Sequence, residues 1–207
     1  INTVFGKIGV FELGAHQLQA YAERFGFNRK IASDIPLQEG KAIMPQDPFE
    51  LAESASGFTT ETTMSPMQGA LIAASILNNG IMMEPYVVQA VYSNDGNLIY
   101  QAQPNVANLS VDDRTASEIQ GLMRETIRHG TSRKAFRGFF KGDRAEIDVG
   151  GKTGSLSGRD PKGKYDWFIG FANKGNKPIA LAVLTVNEKL WRVKSSYLAR
   201  KAIERYY

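Results

Sequence analysis

The chain has 207 residues, of which 43% are hydrophobic and 22% are charged, so it is large enough to bury the core of a globular domain. It contains no cysteine, which excludes disulfides, thiolate metal sites and a cysteine nucleophile. Its formal net charge of +4 comes from dispersed basic residues, and its two histidines, His16 and His129, lie far apart. Nucleic acid, a metal ion and any other cofactor are therefore not expected as partners.

Helical patterns dominate the first two thirds of the chain. Apolar residues at helical spacing predict helices over residues 13–25, 65–78 and 110–129. The second of these starts with a serine cap, a proline and then a glutamine three residues after the cap, which is a strong helix start. Residues 28–57 show little periodicity and many turn-forming residues, which predicts a long surface connection. We therefore predict a mostly helical lobe over residues 1–143.

The pattern changes to strands in the last third of the chain. Apolar or alternating stretches predict strands at 145–149, 167–172 and 179–186, and a polar turn makes the last two an antiparallel hairpin. Residues 195–205 predict a helix that covers this sheet. The fold class predicted from these patterns is α+β, with sheet strands and a C-terminal helix over residues 144–207.

Residues 150–155 read Gly-Gly-Lys-Thr-Gly-Ser and are the most informative stretch. A phosphate-binding loop would need glycine at position 146, where the sequence has glutamate, and a helix directly after the lysine. The second interpretation is a strand edge where Lys152 supplies positive charge while Thr153 and Ser155 donate hydrogen bonds to a carboxylate or an acyl carbonyl. Gly154 has no Cβ, so a substrate backbone can approach it closely. The third interpretation is a solvated glycine-rich turn.

Three other stretches accompany this motif. Residues 166–171 read Asp-Trp-Phe-Ile-Gly-Phe, residues 130–136 begin with Gly-Thr-Ser, and residues 63–68 end with Ser-Pro-Met-Gln before Asn-Asn-Gly at 78–80. Together with Lys-Thr-Gly they resemble, in order and separation, motifs of penicillin-binding transpeptidases. The chain thus resembles the C-terminal portion of a penicillin-binding protein transpeptidase domain, in the superfamily that includes the serine β-lactamases.

The start of the chain carries a shorter resemblance. Residues 1–9 are similar to the stretch that follows the serine of the family's Ser-x-Asn motif, with Asn2 as its asparagine. A polar residue at a chain end is the other interpretation of Asn2. No serine in the sequence has a lysine three residues later, so the family's nucleophile motif, Ser-x-x-Lys, is absent from these 207 residues. We expect that motif, its helix and the first strands of the sheet on a preceding segment.

The resemblance implies a penicillin-binding-protein or β-lactamase-like fold, in which an antiparallel sheet packs between helices beside a helical lobe. It implies Lys152 and Asn2 as catalytic residues and Thr153, Gly154 and Ser155 as substrate-binding residues. The implied reaction is D,D-transpeptidation, in which a serine is acylated by the D-Ala-D-Ala end of a peptidoglycan stem peptide and an amine of a second stem resolves the ester.

The implied partners are peptidoglycan stem peptides, β-lactam antibiotics and the N-terminal part of the same domain. The implied location is the extracytoplasmic face of the bacterial cell membrane, in the periplasm, with a membrane anchor outside this chain. This chain alone is expected to be inactive.

Two other functions stay open. A serine β-lactamase or a penicillin-sensing domain shares the Lys-Thr-Gly motif, and hydrolytic turnover of a β-lactam would favour it. A non-catalytic interaction module of the cell-wall machinery fits a chain that has no nucleophile motif.

Overall fold

The computed structural model describes residues 2–188 and 193–207. Ile1, at the start of the stretch 1–9, and residues 189–192 of the predicted sheet region lie outside the described residues. The helices are α1 (Asn2–Lys7), α2 (Gly14–Arg24), α3 (Pro48–Ala55), α4 (Pro66–Leu77), α5 (Asp113–Arg128) and α6 (Ser195–Tyr206), with a π-helix at Ile8–Leu13 and a 3-10 turn at Gly142–Arg144. The strands are β1 (Ile81–Met83), β2 (Ala90–Tyr92), β3 (Leu98–Gln101), β4 (Val106–Leu109), β5 (Asp148–Arg159), β6 (Lys162–Lys174) and β7 (Lys177–Asn187).

Strands β5, β6 and β7 form an antiparallel sheet with β6 in the centre. The pairing of β5 with β6 runs without a register shift, and two glycines of β5 make room for aromatic rings of β6. A Cβ added to Gly151 would lie 2.3 Å from the ring of Phe168, and one added to Gly150 would lie 2.4 Å from the ring of Phe171. These glycines therefore let the two rings pack directly against the main chain of β5.

Helices cover both faces of this sheet. On one face Phe168 is buried with Ala199 and Ile203 of α6. On the other face Phe171 is buried with Ile76 from α4 and Met123 from α5. The predicted α+β arrangement, with an antiparallel sheet between helices, is confirmed.

Residues at its two ends explain where helix α4 begins and where it stops. The hydroxyl of Ser65 accepts a hydrogen bond from the backbone N–H of Gln68 at 3.2 Å, and Pro66 is the first helical residue, as the sequence predicts. Asn79 and Gly80 then take positive φ angles of 54° and 87° and end the helix. A Cβ at Gly80 would lie 2.0 Å from the carbonyl oxygen of Val111, so only glycine fits there.

The region over residues 1–143 contains five of the helices and two small antiparallel sheets, formed by β1 with β4 and by β2 with β3. Within the described parts of the chain, no helix combines the length and the apolarity that a membrane crossing requires.

Three predicted boundaries are wrong. The surface connection predicted over 28–57 contains α3, whose first turn is capped by the Asp47 carboxylate. The strand predicted at 145–149 begins only at Asp148 and continues to Arg159, because β5 pairs with β6 along its whole length. The helix predicted from residue 110 is capped by Asp112 and begins after it.

Candidate active site on strand β5

The four residues of the Lys-Thr-Gly-Ser motif lie in the middle of β5. They pair with successive residues of β6, and β5 stands at the edge of the three-stranded sheet, so its other side pairs with no strand among the described residues. An open edge presents main-chain groups that can bind an extended peptide. The strand continues well beyond Lys152, so no helix follows the lysine, and the phosphate-loop interpretation is excluded.

Lys152 is exposed on this strand. Its Nζ atom donates a hydrogen bond of 2.6 Å to the carbonyl oxygen of Thr153. The ammonium group therefore lies beside the main chain of its own motif, where it can attract a carboxylate or stabilise an oxyanion.

Thr153 is joined to the loop between α5 and β5. Its Oγ1 atom lies 2.7 Å from Oγ1 of Thr131, the threonine of the Gly-Thr-Ser stretch, and either hydroxyl can be the donor. Each hydroxyl has one proton, so the mutual bond uses one of the two and leaves the other for a ligand. The structure thus brings together two stretches that lie 22 residues apart, and Thr131 joins the site although the sequence assigned it no role.

Gly154 differs from the glycines that precede the lysine. A Cβ added there would meet only Cβ of Trp167, at the ordinary contact distance of 3.5 Å, and Gly154 does not have a left-handed φ. Neither the packing nor the backbone of this chain requires glycine at this position. The geometry leaves room for the close approach of a ligand, and that role of Gly154 stays a prediction.

The hydroxyl of Ser155 points to a buried carboxylate. Its Oγ atom donates a hydrogen bond of 3.1 Å to Oδ1 of Asp166, which is only 3% exposed. Asp166 also accepts hydrogen bonds from the Ser195 backbone N–H at 2.8 Å and from the Ser195 hydroxyl at 3.0 Å, and Nζ of Lys194 lies 3.3 Å away. One signal in the sequence could have found Asp166: it is an acidic residue directly before the aromatic stretch of a predicted core strand, and a carboxylate buried there needs partners.

A cavity of about 740 Å³ opens beside the motif. Ser155, Leu156 and Ser157 of β5 form one wall, and the segment 41–61 with Glu53 and Phe58 forms the other. A cavity of this volume is in the range of small-molecule sites, on the order of 300–1,000 Å³. It can hold a ligand that extends from the edge of β5.

Asn2 lies elsewhere. It is the first residue of α1, is exposed, and lines a second cavity of about 550 Å³ together with apolar side chains such as Phe11 and Phe49. The two cavities share Glu53 and Phe58, so they are neighbours. The structure therefore groups Lys152 to Ser155 on one strand, and the role of Asn2 stays a prediction.

The family model described as the penicillin binding protein transpeptidase domain matches residues 1–205 of this sequence. The chain belongs to this family. It is 29% identical over 188 residues to the peptidoglycan D,D-transpeptidase PbpA of Mycolicibacterium smegmatis, an alignment that covers 88% of this chain and 36% of that protein. It is 28% identical over 166 residues to penicillin-binding protein 1A of Neisseria lactamica, covering 78% of this chain and 17% of that protein.

Solved structures give the same result. The D,D-transpeptidase domain of a peptidoglycan glycosyltransferase from Eggerthella lenta has a TM-score of 0.77 and 28% identity, and the match covers 99% of this chain and 50% of that chain. Penicillin-binding protein A from M. tuberculosis, as an imipenem acyl-enzyme complex, has a TM-score of 0.81 and 25% identity, with coverage of 99% and 45%. The chain thus spans half or less of these relatives, and the predicted family resemblance and fold class are confirmed.

Proposed function

We propose that this chain is the C-terminal part of the transpeptidase domain of a peptidoglycan D,D-transpeptidase, which binds penicillin and cross-links stem peptides by serine acyl transfer. The observation that carries the proposal is the Lys-Thr-Gly-Ser motif on an open sheet edge beside a cavity of about 740 Å³. Family membership over residues 1–205 supports it. The reaction belongs to a longer protein, because the chain contains no Ser-x-x-Lys motif.

The residues of β5 have separate roles in substrate binding and in catalysis. Lys152 supplies positive charge and takes part in proton relay, while the hydroxyl of Thr153, paired with that of Thr131, binds the terminal carboxylate of the stem peptide. The backbone N–H of Ser155 forms half of the oxyanion hole. Asn2 completes the catalytic set as the asparagine of Ser-x-Asn.

The reaction proceeds in two acyl transfers. The serine hydroxyl of the preceding segment adds to the carbonyl of the penultimate D-alanine, its proton passes to the leaving amine, and the terminal D-alanine departs. An amine of a second stem peptide then attacks the ester, which forms the cross-link and returns the proton to the serine oxygen. A β-lactam acylates the same serine, and the reaction then stops at the ester.

Two solved structures of one relative favour a β-lactam as ligand. Penicillin-binding protein A from M. tuberculosis is known as acyl-enzyme complexes with imipenem and with penicillin G, at 25% and 26% identity to this chain. By this relation we infer that the longer protein forms the same kind of adduct.

The proposed location follows from the proposed substrate. Peptidoglycan lies outside the cytoplasmic membrane, so the domain works on the extracytoplasmic face of that membrane, in the periplasm, held by an anchor that is not part of this chain.

The test is labelling with a fluorescent penicillin, followed by peptide mapping of the adduct. The longer protein that carries this chain is expected to be labelled at the serine of a Ser-x-x-Lys motif upstream of Ile1, and the 207-residue chain alone is expected to stay unlabelled. Absence of an adduct on the folded longer protein contradicts the proposal. Rapid hydrolytic turnover of the penicillin would point instead to a β-lactamase.

A further inference from the structure

We infer that Asp166 is a positioning residue for the proposed reaction, acting through Ser155. The inference rests on the proposed function, because Ser155 matters only if β5 holds the substrate. The two residues are direct cross-strand partners, Ser155 on β5 and Asp166 on β6. Side chains of such partners lie on the same face of the sheet, which lets the hydroxyl reach the carboxylate at 3.1 Å.

The carboxylate itself is held on the other side by α6. A side chain as buried as Asp166 requires hydrogen-bond partners, and the beginning of α6 supplies them. The backbone N–H and the hydroxyl of Ser195, the first residue of α6, both donate to Oδ2, and Lys194 forms an ion pair with Oδ1. The N-terminal end of a helix also favours a negative charge. Asp166 therefore links the beginning of α6 to Ser155 through hydrogen bonds to both.

The bond to Asp166 decides what Ser155 can offer a ligand. A serine hydroxyl has a single proton, and here it is used on the carboxylate. While that bond is made, the hydroxyl cannot donate to an anionic substrate, and Lys152 and the hydroxyl pair of Thr131 and Thr153 are the donors that remain for it. Ser155 acts through its main chain, and the bond to Asp166 holds that main chain in place.

A double-mutant cycle in the longer protein tests the inference. The measured quantity is the second-order rate constant of acylation by a fluorescent penicillin, with the melting temperature measured in parallel. We expect Asp166→Asn and Ser155→Ala each to slow acylation about tenfold, since a misplacement of about 1 Å can cost on the order of a hundredfold. The double variant should be no slower than either single one, because both break the same link. Ser155→Thr keeps the hydroxyl and should restore most of the rate.

Glu204→Gln is the matched control. Glu204 is a mostly buried carboxylate of α6 that binds Arg144, Arg200 and Lys201, none of which lies on β5. This variant should lower the melting temperature and leave the acylation rate unchanged.

The inference is overturned if Asp166→Asn acylates at the rate of the unmodified protein, if the two losses multiply in the double variant, or if Glu204→Gln slows acylation equally. An unmodified longer protein that is folded but never labelled would overturn the proposed function, and this inference with it.

Discussion

The sheet of β5 to β7 and the surface formed by α1 to α3 differ in how completely this chain buries them. In the sheet, Phe168 and Phe171 are fully buried, and helices from this chain cover both faces. On α1 to α3 and the π-helix between them, Phe11 and Phe49 are 76% and 73% exposed, and Phe5 is 57% exposed. A large exposed apolar surface is typical of an interaction site. This chain thus buries the centre of the sheet with its own helices, while the exposed surface of α1 to α3 offers an apolar face on which the proposed preceding part of the domain can pack.

The largest expected difference between these two regions is in stability. Phe168→Ala should lower the free energy of unfolding by about 3–5 kcal/mol, because it empties a closed part of the core. Phe49→Ala removes an exposed ring and should change it by less than about 0.5 kcal/mol. Urea unfolding of this chain measures both values. Equal losses would mean that the sheet core is not the main source of stability.

The next largest expected effect is a difference in stability between substitution of Gly151, which packs against an aromatic ring, and substitution of Gly154, which is proposed to face the ligand. Gly151→Ala should destabilise the chain by about 1–3 kcal/mol, because its Cβ would meet the ring of Phe168 at 2.3 Å. Gly154→Ala should leave the unfolding free energy nearly unchanged, since its Cβ has room, and should slow penicillin labelling of the longer protein. A stability loss at Gly154 as large as that at Gly151 would argue against a ligand-facing role.

The smallest effect is a pH dependence at α6. The hydrogen bond from Lys201, reinforced by one from Arg200, holds the pKa of the Glu204 carboxyl below its ordinary value. Since the folded-state pKa is the lower one, this stabilisation is present above the unfolded pKa of about 4.3 and is lost as pH falls through the folded pKa. Between about pH 5 and pH 3, the unmodified chain should therefore lose more stability than Glu204→Gln. Parallel curves of unfolding free energy against pH for the two proteins would contradict this.

Local patterns predicted the parts of the fold that depend on neighbours in sequence. The start of α4 could be read from Ser65 and Pro66, and its end from Asn79 and Gly80. The helix α3 was missed because turn-forming residues surround it, although Asp47 directly before a proline is a cap signal in its own right.

Contacts between residues that are distant in the sequence could not be predicted from local patterns. The bond between Thr131 and Thr153 depends on how the loop after α5 folds back on β5, and the motif predicted only Thr153. The link from Asp166 to Ser195 spans 29 residues and requires both the strand register and the start of α6. The sequence therefore pointed to Lys152–Ser155 as one group, and the structure supplied the contacts that join this group to the loop after α5 and to the start of α6.

One variant pair tests most directly whether Lys152 on β5 serves an acylation site. In the longer protein, Lys152→Ala should slow acylation by a fluorescent penicillin about a hundredfold or more, a typical cost for losing a group that stabilises the transition state. Lys162→Ala, at the far end of the same hairpin, should label at the unmodified rate, and both should keep the unmodified melting temperature. A folded Lys152→Ala variant that labels as fast as the unmodified protein would contradict this role of Lys152.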